Sequence, residues 1–148
     1  MPYLIDGANL GGSLGGRDGA RDAEAVVRFL VPWTRGRGRV LVVFDGAGDG
    51  ALPRALGSLE IVWSGAGRSA DDWIVGRLGS RARDWIVITD DRELGGRCRE
   101  RGARVERTAE FAARAAGAHG AGAAVEKPEP GPDEVAAWKD LFDPEGRD

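Results

Sequence analysis

Six aspartates and one asparagine are the residues of this chain whose types and spacing could do chemistry: Asp6, Asn9, Asp45, Asp71, Asp72, Asp90 and Asp91. They come from four separate stretches, each at the end of an apolar run or the opening of a helical one. Carboxylates gathered in one place raise one another's pKa, so such a cluster is costly unless a divalent cation shares it. Short, hard oxygen ligands without His or Cys select Mg²⁺ or Mn²⁺ over zinc. Carboxylate-held cations of this kind work with phosphates: one activates a water and a second stabilises the leaving oxygen. The chemistry that fits is hydrolysis of a phosphodiester.

The rare residues narrow the field further. Cys98 is the only cysteine and His119 the only histidine, which excludes an internal disulfide and a zinc–cysteine cluster. Nucleophilic catalysis by a Ser–His or Cys–His pair has little to work with. The lysines are Lys127 and Lys139, so the Gly-Lys-Ser/Thr ending of a P-loop is absent. With 148 residues, 42% hydrophobic and 30% charged, the chain has the profile of one soluble globular domain. Its longest apolar run, Val40 to Phe44, is far short of the roughly 20 residues of a membrane span. The opening Met-Pro-Tyr-Leu-Ile-Asp lacks the basic and apolar regions of a secretory signal, so a cytoplasmic location with no membrane partner is expected.

The elements that must position the acids alternate between strand and helix. Tyr3 to Ile5, Arg39 to Phe44, Leu59 to Trp63, Trp85 to Thr89 and Arg104 to Glu106 read as strands, the second continuous and β-branched as in a sheet covered on both faces. Ala23, Val26, Val27 and Leu30 recur at helical spacing, and Pro32 is expected to stop that helix. Ser69 with Asp72 has capping-box spacing, and Gly102 suits the end of the helix carrying Leu94 and Cys98. Thr108 is expected to cap a last helix through about Ala116. The class is therefore α/β with a mainly parallel sheet and right-handed crossovers. In such sheets ligands bind beyond the carboxyl ends of the strands, where these acids fall. Residues 1–116 read as the domain, 117–132 as a Gly/Ala/Pro-rich linker, and 133–148 as a short acidic amphipathic tail with Val135, Trp138, Leu141 and Phe142.

Blander roles compete at single positions. Asp90 with Glu93 has N-cap spacing, Asp72 could only complete its capping box, and Asp-Gly at residues 6–7 and 45–46 is a common turn signal. The glycine-rich stretch from Gly11 to Gly19 lacks dinucleotide-binding spacing and reads as a flexible loop. Residues 1–114 hold 18 Arg against 16 Asp plus Glu, and residues 115–148 hold 3 basic against 8 acidic side chains. An arginine-rich body keeps nucleic acid open as a partner despite a net charge of -3. Arg17, Arg35, Arg37, Arg68 and Arg92 are candidates for gripping an RNA backbone. The turn around Arg35 and Arg37, beside Trp33, is either a phosphate rail with a stacking ring or a solvated turn.

Four segments carry a resemblance. Asp6-Gly7-Ala8-Asn9, Val42-Val43-Phe44-Asp45, Ser69-Ala70-Asp71-Asp72 and Ile88-Thr89-Asp90-Asp91-Arg92-Glu93-Leu94 resemble, in order, the four motifs of the NYN domains of the PIN-like nuclease superfamily. The likeness is greatest to the bacterial YacP-like branch, over about residues 3–114, and the tail around Trp138 and Phe142 is similar too. It implies a PIN-like three-layer α/β fold and endonucleolytic RNA cleavage with Mg²⁺ or Mn²⁺, in that branch with ribosomes and translated messenger RNA as partners. By the same resemblance Asp6, Asp45, Asp71 and Asp91 would hold the metal, and Asn9 would orient Asp6 or a water. Asp72 and Asp90 would support these or hold a further ion. Ala8 stands where the family usually has an aromatic, a departure that bears on substrate choice.

Three other readings stay open: a silent RNA- or ribosome-binding module, a metal-dependent phosphatase acting on small molecules, and a PIN-type toxin. Oligomeric state is not legible in the sequence.

Overall fold

The computed structural model describes residues 2–14, 19–48, 50 and 52–124, with the backbone alone at 19–22 and 118–124. Six strands form one sheet: β1 (Tyr3–Asp6), β2 (Val40–Phe44), β3 (Ala55–Leu56), β4 (Leu59–Trp63), β5 (Ile86–Ile88) and β6 (Arg104–Glu106). Between them run α1 (Gly7–Ser13), α2 (Gly19–Thr34), α3 (Ala70–Leu78) and α4 (Arg92–Glu100). A 3-10 segment spans Gly79–Asp84, and α5 (Thr108–Ala124) follows β6. The sheet order is β3-β4-β2-β1-β5-β6, parallel throughout except where the short β3 pairs antiparallel with β4. From central β1 the chain winds outward through β2 and β4, then crosses to β5 on the other side. That reversal is the topological switch point where α/β sheets place ligands.

Alternation along the strands sorts the core into two layers, because successive side chains point to opposite faces. Ile5, Val40, Val42, Phe44, Leu59, Ile61 and Ile88 pack with Leu10 of α1, Val26, Val27 and Leu30 of α2, and Phe111 and Ala115 of α5. Leu4, Leu41, Val43 and Val87 face the other way, onto Ile74 and Leu78 of α3 and Leu94 and Cys98 of α4. Trp33, 1% exposed, meets Tyr3 and Phe111 edge-on with ring centroids 4.9 and 4.8 Å away. It is a core residue, not a stacking platform.

Three boundaries differ from the sequence reading. The chain does not loop after Asp6-Gly7: the Asp6 carboxylate caps α1, which carries Gly11 and Gly12 inside it. Pro32 lies within the last turn of α2, where it forgoes one hydrogen bond without ending the helix before Thr34. Helix α5 runs to Ala124, past the expected end near 116 and into the expected linker. Its alanines, the best helix formers, outweigh the interspersed glycines. The rest of the linker and the acidic tail lie outside the described residues. Among the described residues no helix is long and apolar enough to cross a membrane.

Candidate functional site

The same alternation that builds the core aims the acids. Asp6 follows Ile5, so it shares the face of Leu4, toward α3 and α4. Those two helices open with Asp71 and Asp91. Asp71 stands in the first turn of α3, and Asp91 is the N-cap of α4, accepting from Leu94 N at 3.0 Å. Asp45, one residue past β2, accepts from Ala70 N at 2.7 Å and is thereby held at the start of α3. Both helix N-termini offer partial positive charge to this edge.

Asp6 is 3% exposed. Its Oδ1 accepts from Asn9 N at 3.4 Å and its Oδ2 from Thr89 Oγ1 at 3.1 Å. Burial pushes its carboxyl up to about 6; the bonds from Asn9 and Thr89 pull the other way, and the charges of Asp71 and Asp45 add to the rise. Asp71 is raised too, first by burial, then by the charges of Asp91 and Asp45, with Arg97 opposing. Asp71 and Asp45 thus act on Asp6, and Asp91 and Asp45 act on Asp71. Asp91 and Asp45 each spend one carboxylate oxygen on a backbone N–H.

Asn9 touches Asp6 with one group and the segment after β5 with another. Its backbone, not its side chain, reaches Asp6. Its Oδ1 accepts from Asp90 N at 2.7 Å and lies 3.2 Å from Thr89 Oγ1, tying α1 to the segment after β5. Asp90 is not the cap of α4: its carboxylate receives Thr108 N at 2.9 Å and the Thr108 hydroxyl, pinning the start of α5. Asp72 leaves its capping box half-made, since Ser69 Oγ accepts from Asp72 N while the Asp72 carboxylate pairs with Arg97 at 3.2 Å.

Among known proteins, no protein family matches the sequence, and no curated protein matches it either. The fold does have neighbours. Two crystal structures of Rae1 (YacP) from Bacillus subtilis superpose on it, one of them a point mutant. The mutant gives a TM-score of 0.63 at 18% identity, covering 81% of this chain and 77% of that one. The other gives 0.61 at 18% identity, covering 82% and 76%. The chain shares the fold of these Rae1 (YacP) structures.

Within this fold the arginines singled out from the sequence do not stand together. Arg35 and Arg37 lie between α2 and β2, at the amino edge of the sheet, whereas Asp45 follows the carboxyl end of β2. The five residues of that strand separate them by about 16 Å. Arg37 donates to Trp33 O at 2.7 Å and covers the indole ring at 4.3 Å. Arg68 folds back along α3 and donates to Asp72 O at 3.3 Å. Arg92 opens α4 beside Asp91, at the acidic edge, and Arg17 lies outside the described residues.

The donor set suits a hard divalent cation: carboxylate oxygens alone, on helix N-termini and strand ends, in mutual repulsion that a cation would relieve. As they stand, however, no three acidic, histidine or cysteine side chains among the described residues are arranged to hold a metal ion. Sequence reasoning assigned no role to Thr89 or Arg97, and gave Thr108 only that of a helix cap. Thr89 is the hub, since its Oγ1 also accepts from Asp91 N at 3.1 Å. The only signal for it was a hydroxyl residue at a strand end ahead of two acids.

Proposed function

We propose that the chain is an endoribonuclease that hydrolyses RNA phosphodiester bonds with Mg²⁺ or Mn²⁺ held by Asp6, Asp45, Asp71 and Asp91. The observation that carries the reading is the raised titration of Asp6 and Asp71, to which burial contributes most and the charges of Asp45 and Asp91 add, at the switch point of the sheet. A divalent cation bound there would supply charge neutralisation at the phosphate and a more acidic water. The protein's part is positional. Thr89 and Asn9 N fix the two oxygens of Asp6, Ala70 N orients Asp45, and Leu94 N orients Asp91, so each carboxylate presents a set direction. Burial of Asp6 keeps bulk water from that carboxylate, while Asp45 is exposed and Asp71 and Asp91 are half-buried.

One observation favours a second reading, a silent RNA- or ribosome-binding module: the carboxylates do not close into a metal cage as they stand. Turnover separates the two. End-labelled RNA should be cut in Mg²⁺ or Mn²⁺, with loss of cutting in chelator and in Asp91→Asn. RNA left intact by excess protein in both metals, alone and presented on ribosomes, contradicts the nuclease reading.

A further inference from the structure

Beside the carboxylates, a cavity of about 370 Å³ opens between α4 and the β6–α5 junction. Thr89, Asp90 and Asp91 form its inner end, and Arg92, Arg99 and Arg107 wall it outward. Arg92, Gly95 and Arg99 are spaced i, i+3 and i+7, so they share one face of α4, two turns or about 10 Å long. Gly95 lines the cavity between the two arginines, 3.4 Å from Val105 Cγ1 and 3.9 Å from Arg99 Nη1 as measured from the place of a Cβ.

Charge gives the groove a direction. Arg39, Arg81, Arg97 and Arg114 each have a carboxylate partner; Arg92, Arg99 and Arg107, like Arg77, Arg101 and Arg104, are in no ion pair among the described residues, and the first three share one cavity. The two acids in the wall are turned inward, Asp90 onto Thr108 and Asp91 onto Leu94 N. The lining thus carries three guanidinium groups against two carboxylates, both of which already accept hydrogen bonds from the protein. Guanidinium forks bind phosphate in bidentate fashion and are weakly hydrated, so they desolvate at low cost.

We infer that single-stranded RNA runs along this groove, with Arg99 and Arg107, together with Arg92, holding the backbone phosphates next to the bond being cut. Arg99 and Arg107 are positioning residues, and the placement relative to a scissile bond rests on the nuclease reading above. The groove as an RNA site does not.

The test is fluorescence anisotropy of a short labelled single-stranded RNA with the full chain in chelator, over a salt series. Arg99→Glu and Arg107→Glu are compared with Arg81→Glu, the same charge change remote from the groove. The expected result is roughly tenfold weaker binding for each groove variant. The log K against log salt slope should also drop by about 0.7 per lost phosphate contact, with Arg81→Glu close to wild type. In turnover the loss should fall on KM and not on kcat. No RNA binding by wild type, or equal weakening by all three variants at unchanged thermal midpoints, overturns the inference. The two claims fail separately: groove-dependent binding without cleavage rejects the nuclease alone, and cleavage indifferent to Arg99 and Arg107 rejects the groove alone.

Discussion

Asp6 faces Asp45 and Asp71 with little water around it, so its ionised form lacks both solvation and a counter-charge. The carboxyl titrates at about 6 in the fold against an ordinary 3.8. Its protonated form therefore stabilises the native state below about pH 4, and that contribution is lost as pH rises through about 6. In cation-free buffer this residue should lower the unfolding free energy by about 1–3 kcal/mol between about pH 4 and pH 7. Asp6→Asn should flatten that fall and be the more stable protein at neutral pH, as read by urea denaturation. An equal pH slope in both proteins would contradict the burial argument. Thr89→Val should act in the opposite sense, leaving Asp6 Oδ2 and Asp91 N short of a partner at a cost of about 1–3 kcal/mol. The aspartates were readable because Asp at the end of an apolar run has a local signature. Thr89 was not, because its role depends on Asp6, 83 residues away.

At the scale of elements, the strands and their order of appearance follow from apolar runs, and the two-layer core follows from their alternation. The boundaries that local pattern misplaced were set by contacts it does not contain. Gly7 was read as part of a turn, yet the chain there begins α1 hard against β2. A Cβ on Gly7 would lie 2.3 Å from the Phe44 ring and 2.9 Å from Val43 O. Gly7→Ala should therefore destabilise the fold by about 1–3 kcal/mol or more, since a backbone oxygen cannot rotate away. It should also slow cleavage by displacing Asp6, while Gly12→Ala, with open space around it, should be tolerated. A Gly7→Ala protein with unchanged melting temperature would show that α1 does not pack on β2 as described. Asp90 teaches the same lesson: its spacing to Glu93 suggested a cap on its own helix, but Thr108 claims its carboxylate from the next one.

For the whole molecule, a doubly wound parallel sheet gathers four carboxylates from distant stretches at one edge and disperses the arginines to both. The fold class and the carboxylate edge were legible from residue types alone, because chain topology forces strand ends to one side. The arginine groove was not, since it depends on how α4 and the β6–α5 junction pack to bring Arg92, Arg99 and Arg107 to one cavity. If the acidic edge holds a divalent cation, Mn²⁺ at one hundred times its Kd should add about 2.7 kcal/mol to wild-type stability. That corresponds to a rise in Tm of roughly 5–10 °C for a chain of this size, and Asp6→Asn should lose most of it. Equal stabilisation of both proteins would place the ion elsewhere. The most direct measurement is the single-turnover rate of end-labelled RNA cleavage by wild type and Asp6→Asn at matched Mn²⁺. Cutting by wild type and a loss of at least about a hundredfold in Asp6→Asn is the predicted result; equal rates from the two proteins would contradict the carboxylate site.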